Sequence, residues 1–340
     1  MAARLLVAFA LLALSFDVHS DDPASFVVHE WGTFTSVQGA DGAQLTWAPL
    51  LDTELPAFVY RSFIDNGGLG GPALLAAQSK GSLSATLRME TPVIYFYTQK
   101  QLEVDVRVLF PEGLITEWYP QASKLGPYVP DDGYPTADSR RSLIEWNDVN
   151  VLARDTNEIT SKVLIRDQKN SRADHYYAAR ETDANFLRVS TEGNGTEYDR
   201  NLFYRGVGYL DAPLIVSMSD DERILTLASN STEPMAHLFV VTVQRGLMRY
   251  QKVKQVARTM STDVDLNVEA FGAHRDMSVQ LMREVTAALV QEGLYEREAR
   301  AMVQTWKDQW FSENGTRVLY VLPRAWTDRN LPIEISPAPH

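Results

Sequence analysis

Residues 104–119 read VDVRVLFPEGLITEWY, and this stretch decides the fold class. Its first half alternates apolar residues with Asp105 and Arg107, which is the period of two expected of a strand with one buried face. The turn-forming triplet Pro111-Glu112-Gly113 follows, and the apolar sequence resumes at Leu114. Two such runs joined by a short turn predict a β-hairpin.

Other runs of strand composition recur along the chain, separated by turn residues. They cover residues 93–97, 163–166, 176–179, 214–218, 224–228 and 238–243. The acidic turn Ser219-Asp220-Asp221 joins two of these runs and predicts a second hairpin. Many short strands separated by turns favour an antiparallel β-sandwich or barrel-like sheets over a doubly wound sheet.

The C-terminal part of the sequence carries a helical pattern instead. Apolar residues at steps of three and four predict helices at about 277–292 and 296–313, with Gly293 as a stop signal between them. Residues 317–323, RVLYVLP, read as a strand that is apolar on both faces and needs cover on both sides. We therefore predict a mainly β, α+β fold, in which residues 21–340 form a single β-rich domain and the helix pair packs on its sheet.

Residues 1–20 have the three-part pattern of a secretory signal peptide. Arg4 precedes an apolar run from Leu5 to Phe16, and the small residue Ser20 stands before a cleavage point at Asp21. This run is shorter than the roughly 20 residues that a membrane-spanning helix needs, and no later run is long enough. We expect a periplasmic or secreted protein that has no membrane span after signal cleavage.

Composition argues against several kinds of site and partner. The chain has no cysteine, which excludes disulfides, thiolate metal sites and a cysteine nucleophile. Its formal net charge of -12, without a basic patch, argues against nucleic acid as a partner. The sequence contains no nucleophile elbow of the G-x-S-x-G type, which disfavours a serine hydrolase of that class.

Residues 27–35, VVHEWGTFT, place a histidine beside a carboxylate soon after the predicted cleavage point. In a strand, alternate residues face opposite sides, so His29 and Glu30 diverge unless a bulge at Gly32 twists the chain. One interpretation is a buried strand whose polar groups are satisfied by their neighbours. The other makes His29 or Glu30 a catalytic group that lines a pocket with a partner from a distant segment.

Residues 174–183, DHYYAARETD, contain the second pair of catalytic candidates. As a strand they put Glu181 and Asp183 on one face, about 6.6 Å apart, with His175 and Tyr177 beside them as ligand-binding groups. Carboxylates at that separation act as acid and base or nucleophile in sugar-bond hydrolysis. Arg180 then points to the other face, towards a carboxylate of a neighbouring strand. The alternative interpretation is an ordinary solvated strand face.

Two aromatic segments add candidates for ligand binding. Arg205 lies between an aromatic pair and two glycines in the segment Phe203–Gly208. This setting suits recognition of a carboxylate or a flat ring, and it equally suits a structural ion pair at a bulge. Trp118 lies in a Glu-Trp-Tyr segment, which suits either a sugar-stacking platform or the core.

The sequence predicts neither a metal site nor a cofactor. No two histidines after the signal have the spacing of a zinc motif. Asp263, Asp265, Asn267 and Glu269 suggest a surface calcium ion as an alternative, although the stretch lacks the glycine and the final acid of a calcium-binding loop. Apolar residues alternate with these acids, which favours a strand with one acidic face.

Five segments carry a resemblance that covers most of the chain after the signal. They are His29–Thr35, Glu90–Val93, Glu117–Pro120, Phe203–Gly206 and Gly315–Pro323. Together they resemble a group of exported bacterial proteins of uncharacterised function, which share the motif His-Glu-Trp-Gly-Thr-Phe-Thr after the signal peptide. The resemblance implies a bacterial secreted or periplasmic protein, and it implies no activity, cofactor or catalytic residue.

Two functional hypotheses follow from these observations. The first is a binding or structural protein for a glycan or a cell-envelope component, favoured by the many strands, the aromatic residues and the missing catalytic signature. The second is an extracytoplasmic, glycosidase-like hydrolase that uses Glu181 with Asp183, or Glu30 with His29. A fold class alone does not choose between them.

Overall fold

The computed structural model of the chain describes residues 6–15, 26–46, 55–61, 85–126, 141–153, 164–165, 174–191, 193 and 195–339. Residues 6–15, 91, 174 and 175 are described by their backbone alone. Within these ranges the chain forms strands that join into three sheets, together with four helices.

The strands and helices are numbered in chain order. The strands are β1 (Leu6–Ser15), β2 (Val27–Gln38), β3 (Tyr60–Arg61), β4 (Leu87–Tyr97), β5 (Leu102–Phe110), β6 (Gly113–Tyr119), β7 (Lys124–Gly126), β8 (Ser142–Val151), β9 (Leu187–Thr191), β10 (Gly195–Asp199), β11 (Leu202–Gly208), β12 (Leu214–Met218), β13 (Ile224–Ser229), β14 (Met235–Gln244), β15 (Leu247–Val256), β16 (Ser261–Asp265), β17 (Gly272–Ala273), β18 (Gly315–Val321) and β19 (Ile333–Ser336). The helices are α1 (Asp174–Ala178), α2 (His274–Gln291), α3 (Glu296–Phe311) and α4 (Arg324–Asn330).

A ten-stranded sheet, which we call the central sheet, organises the fold. Its strand order is β17-β15-β14-β18-β1-β2-β4-β11-β6-β3. A six-stranded sheet has the order β10-β9-β8-β5-β19, with β7 paired to β8, and a third sheet has the order β12-β13-β16. Neighbouring strands are antiparallel except for β1 and β18, which run parallel.

The central sheet separates two apolar cores. On its sandwich side it packs against the two smaller sheets, with side chains such as Phe96, Val106 and Trp146 in one buried cluster. On its helix side it packs against α2 and α3, with Trp31 and Trp306 in a second cluster. This arrangement confirms the prediction of a mainly β, α+β fold with a C-terminal helix pair on antiparallel sheets.

Strand β18 shows why the helices dock where they do. Val318 and Tyr320 lie in the sandwich-side core, while Leu319 and Val321 lie in the helix-side core, so both faces are covered as its sequence predicts. The guanidinium of Arg317 donates to the carbonyls of Gln309 and Trp310 at 2.6 and 2.9 Å, and also to that of Glu313. It thereby satisfies the last carbonyls of α3 and ties that helix end to the sheet.

The predicted hairpin at residues 104–119 is wrong in its pairing, although both strands are present. β5 joins the six-stranded sheet and β6 joins the central sheet, so the turn between them is a corner that links two layers. The Ser142 side chain holds this corner, since it accepts from the Ile115 amide at 2.9 Å and donates to the Gly113 carbonyl at 3.0 Å. All of β6 is buried, so it needs a position covered on both faces.

The second predicted hairpin is confirmed, because β12 and β13 pair antiparallel from Leu214 opposite Ser229 to Met218 opposite Leu225. The predicted strand at 176–179 is wrong, since these residues lie in α1 and the turn after it. Tyr176 and Ala179 are both buried, and a helix brings residues three apart to one face. Of the predicted strand at 163–166, the structure describes Leu164 and Ile165, and both lie outside strands.

Strand β1 covers the apolar run that the sequence predicts as the core of a signal peptide. Its backbone pairs with β2 over Leu6–Ser15 and with β18 from Val7 to Leu11. Removal of the segment at the predicted cleavage point stays a prediction. Among the described helices, none combines the length and the apolar character needed to cross a membrane.

A bulge at Gly32 interrupts the pairing of β2 with β4. Trp31 lies opposite Val93 and Thr33 opposite Glu90, so β4 carries one extra residue there. The two backbones approach so closely that a Cβ atom on Gly32 would lie 2.9 Å from the Cα atom of Pro92. Glycine is therefore required at this position for steric reasons.

We expect Gly32→Ala to lower the free energy of unfolding by about 1–3 kcal/mol, because overpacking forces backbone shifts. Urea denaturation followed by circular dichroism measures the change. Gly126→Ala is the matched control, since a Cβ atom there meets nothing within 4 Å. Equal stability of the two variants would contradict the steric role of Gly32.

Candidate functional site

Strand β2 sends its side chains alternately to the two faces of the central sheet. Val27 and Trp31 lie in the helix-side core, and Val28 and Phe34 lie in the sandwich-side core. His29 accordingly contacts α3, whereas Glu30 contacts Tyr204 in the sandwich-side core. The prediction that His29 and Glu30 diverge is confirmed, and the bulge at Gly32 does not bring them together.

The partner of His29 is a carboxylate 269 residues away in the sequence. His29 Nδ1 lies 2.7 Å from Oε2 of Glu298 in the first turn of α3, and both side chains are buried. The same oxygen accepts a hydrogen bond from the Tyr295 amide at 2.8 Å. Glu298 therefore caps the N-terminus of α3 and fixes the orientation of the imidazole.

Sequence reasoning missed Glu298 as a functional residue. Its position in the sequence could have marked it, because a glutamate three residues after the N-cap residue of a helix reaches back to the N-cap amide. Nothing in the sequence pairs this glutamate with His29, because the contact joins the first described strand after the predicted signal to one of the last helices.

Two tyrosine rings lie against the imidazole. The Tyr295 centroid is 4.6 Å and the Tyr97 centroid is 5.5 Å from that of His29, and the two tyrosines meet edge to face at 4.7 Å. Burial and the neighbouring Glu298 carboxylate raise the pKa of Tyr97 well above its usual value. The phenol of Tyr97 therefore stays protonated and able to donate.

The same two rings form part of a cleft of about 480 Å³, which we call the Tyr295 cleft. Tyr97 is almost fully buried, whereas Tyr295 is 44% exposed and offers its ring to solvent. The other lining residues include Val27, Thr98, Asp183 and Arg297.

The polar side of the Tyr295 cleft consists of an ion pair. Arg297 Nη1 donates to Asp183 Oδ1 at 2.5 Å, and both side chains are about half exposed. The Asn185 side chain holds the chain next to Asp183 in place, because it accepts from the Thr98 amide at 3.1 Å and donates to the Thr98 and Leu152 carbonyls at 2.8 and 2.7 Å. One predicted catalytic residue, Asp183, thus lies at the cleft, and another, His29, lies beneath its rings.

The remaining residues of the segment 174–183 are arranged differently from the prediction. The strand that would set the spacing of Glu181 and Asp183 is absent, because the chain forms α1 and a turn there. Glu181 is exposed, Tyr177 is half-buried, and the side chain of His175 lies outside the described part of the chain.

The predicted carboxylate partner of Arg180 is confirmed as Asp199 of β10. Arg180 Nε and Nη2 donate to the two Asp199 oxygens at 3.0 and 2.6 Å, a bidentate and almost fully buried pair. Arg180 Nη1 donates to the Ile165 carbonyl at 2.6 Å. The arginine therefore has a structural role next to α1.

Glu30 is separated from the Tyr295 cleft by the central sheet. Tyr204 donates a hydrogen bond to Glu30 Oε1, while Oε2 has no hydrogen-bond partner among the described residues. Burial raises the pKa of Glu30 to about 8, and the bond from Tyr204 only partly opposes this. At neutral pH Glu30 is therefore a neutral carboxylic acid within an apolar core.

The predicted ligand-binding residues Trp118 and Arg205 are both buried in the central sheet and do not line the Tyr295 cleft. The Trp118 ring stacks on Tyr60 at 6.1 Å between centroids, and its Nε1 donates to Gln121 Oε1 at 3.2 Å. Trp118 is therefore part of the core rather than an open platform. Arg205 lies on the helix side of the central sheet, opposite Glu117 of β6.

Within the described residues, no group of three or more histidine, aspartate and glutamate side chains is placed to hold a metal ion. Of the acids suggested for a surface calcium ion, Asp263 accepts from Thr226 Oγ1 at 2.7 Å and Asp265 pairs with Arg223 at 2.8 Å. The acidic strand, β16, ends at Asp265, so the predicted alternation stops earlier than the sequence suggests.

No protein-family model matches the chain, and a comparison with curated proteins gives no match either.

Glu30→Gln should flatten the pH dependence of stability. The folded protein keeps the Glu30 proton up to about pH 8, whereas the unfolded chain releases it near the ordinary value of 4.5. Stability of the wild-type protein therefore falls as pH rises through this window, by about 1.4 kcal/mol per unit, and the variant lacks this contribution. Urea denaturation between pH 4.5 and 8 measures it.

The control for this prediction is Glu334→Gln, at an exposed carboxylate of β19. It should keep the wild-type pH profile. An unchanged slope in Glu30→Gln would show that Glu30 is not a neutral acid in the folded protein.

We expect Glu298→Ala to lower the free energy of unfolding by about 3–5 kcal/mol, because it leaves His29 buried without its partner and uncaps α3. Thermal and chemical denaturation measure the loss. Glu296→Ala, at an exposed site two residues earlier, is the control and should change stability by less than about 1 kcal/mol. Similar losses in both variants would contradict a special role for Glu298.

Proposed function

We propose that this protein is an exported, periplasmic or secreted binding protein that holds a glycan of the cell envelope or its surroundings in the Tyr295 cleft. The volume of about 480 Å³ falls within the usual range of small-molecule sites, about 300–1,000 Å³. One or two sugar rings fit such a space. One predicted site residue, Asp183, lines this cleft, and a second, His29, lies beneath the ring of Tyr295.

The chemistry of the cleft wall suits a sugar. The half-exposed ring of Tyr295 is an apolar platform for the C–H face of a pyranose, and its hydroxyl is a polar end. Asp183 offers acceptor oxygens and Arg297 offers a fixed fork of donors, which match the hydroxyl groups at the edge of the same ring. The observation that carries the proposal is this exposed ring beside an accessible pair of opposite charges.

The cleft is also rigid, which favours binding. Tyr295 is the N-cap of α3, and Glu298 ties that helix end to His29 on the central sheet. Asn185 holds the opposite wall through three hydrogen bonds. Since both walls are in place before a ligand arrives, little conformational entropy is lost on binding.

Tyr295→Ala should weaken binding of the retained glycan by about tenfold or more, because it removes the aromatic platform. A glycan array with the wild-type protein identifies the ligand, and isothermal titration calorimetry measures the affinity of each variant. Tyr295→Phe keeps the ring and should retain most of the affinity. The melting temperature of each variant separates loss of binding from loss of the α3 cap.

Arg297→Gln provides a second measurement at the polar wall, with Arg300→Gln as its control. Both residues belong to exposed ion pairs of α3, but Arg300 itself does not line the cleft; its partner Glu296 does, so the control tests loss of an ion pair beside the cleft without loss of a cleft donor. Absence of any retained glycan, or wild-type affinity in both Tyr295→Ala and Arg297→Gln, would remove the proposal.

Sugar-bond hydrolysis by paired carboxylates is the alternative for the same cleft, since Asp183 lies in its wall and Glu181 stands two residues away. Incubation of the retained glycan with the protein distinguishes the two functions. Release of new reducing ends would show a hydrolase, and an intact glycan at equilibrium would show a binding protein.

A further inference from the structure

A row of charged and hydroxyl side chains crosses the helix side of the central sheet, at one level on five neighbouring strands. Strand pairing places Thr33 of β2 opposite Glu90 of β4, and Glu117 of β6 opposite both Arg205 of β11 and Arg61 of β3. Between β4 and β11 the register shifts, so that Arg205 lies beside the chain between Met89 and Val93. We call these residues the polar row: Thr33, Glu90, Arg205, Glu117 and Arg61.

The polar row belongs to the same face as the helix-side core but interrupts it. Phe203 and Tyr119 pack in that core. Arg205 follows Phe203 by two residues and Glu117 precedes Tyr119 by two, so both lie on the same face of the sheet as these aromatic residues. Thr33, Glu90, Glu117 and Arg205 are all buried, and Arg205 is 3% exposed. Burial of so many polar groups is costly unless each finds a partner.

Arg205 is the member of the row whose donors lack acceptors. Its Nε and Nη2 atoms have no hydrogen-bond partner in the described part of the chain, and neither has the Thr33 hydroxyl. The Nε and Nη2 atoms form one edge of the guanidinium and direct two parallel N–H bonds the same way. This edge matches the two oxygens of one carboxylate.

The charges around Arg205 define the ligand further. The polar row itself holds two guanidinium groups, Arg205 and Arg61, and two carboxylates, Glu90 and Glu117. Two residues further along the sheet, Arg88 pairs with Glu90 at 3.1 Å, and Thr35 Oγ1 donates to Glu90 at 3.4 Å. A ligand with one carboxylate matches the free edge of Arg205, whereas a dianion such as phosphate would be repelled more strongly by Glu90 and Glu117.

We propose that Arg205 binds the carboxylate of a monocarboxylic acid, with the Thr33 hydroxyl, on the far side of β4, as a second contact. The acid is either a small free carboxylate or the uronic acid of an acidic sugar. This proposal is independent of the glycan proposal, because the polar row does not line the Tyr295 cleft.

The test uses the full chain, with melting temperature as the readout. Sodium acetate, sodium glucuronate and sodium phosphate are titrated against sodium chloride at equal ionic strength. A ligand that prefers the folded state must raise the melting temperature in a saturable way. We expect saturation with one or both carboxylates and none with phosphate; a response to both points to a free carboxylate, and a response to glucuronate alone points to an acidic sugar.

Variants locate the site. Arg205→Lys keeps the charge but loses the fork and should weaken carboxylate binding by about tenfold or more. Thr33→Val preserves the shape of a buried side chain, so it tests the site even if substitution of Arg205 prevents folding, and it should also weaken binding. Arg223→Gln, at an exposed arginine, and Tyr295→Ala should both retain wild-type carboxylate affinity.

Three results would overturn the proposal. They are no saturable response to either carboxylate, a phosphate response as strong as that to the carboxylates, and unchanged carboxylate affinity in both Arg205→Lys and Thr33→Val. Loss of glycan binding without loss of carboxylate binding, or the reverse, would show that one proposal fails while the other stands.

Discussion

The contact between His29 and Glu298 is the constraint on which the Tyr295 cleft depends. It joins β2 to the first turn of α3, so it fixes where α3 begins on the central sheet. A buried histidine–carboxylate pair adds little to stability against an apolar replacement, but loss of one partner is expensive. The contact therefore matters for positioning: it places Tyr295 over the imidazole and brings Arg297 into reach of Asp183.

The central sheet acts as a partition between two environments, and β2 distributes its polar groups between them. On the helix side, His29 meets an acceptor at the edge of a cleft. On the sandwich side, Glu30 meets Tyr204 in an apolar core and holds its proton at neutral pH. Two adjacent residues thus differ in chemistry because the strand period of two sends them to opposite faces. Gly32 preserves this division, since the extra residue of the bulge belongs to β4.

Helices and strands that show a local period of apolar residues were predictable from the sequence, while contacts between distant segments were not. The two-faced strand at 317–323 and the helix pair followed from spacing alone. The turn at Pro111–Gly113 fits a hairpin by sequence, because a corner between two sheets uses the same turn residues; complete burial of β6 decides between them. Residues 174–178 form a helix despite two tyrosines, since Tyr176 and Ala179 bury one face. Glu298 was invisible as the partner of His29 because 269 residues separate them.

Two other buried arginines on the helix side differ from Arg205, because their donors have acceptors within the fold. Arg180 and Arg317 are buried, but their donors meet Asp199 and the carbonyls at the end of α3, so the fold itself explains them. Arg205 is equally buried, and an arginine with unpaired donors lowers stability compared with an apolar residue of similar size. No hydrogen bond to these two atoms among the described residues offsets that cost. The carboxylate that we propose as a ligand would satisfy both free N–H groups at once.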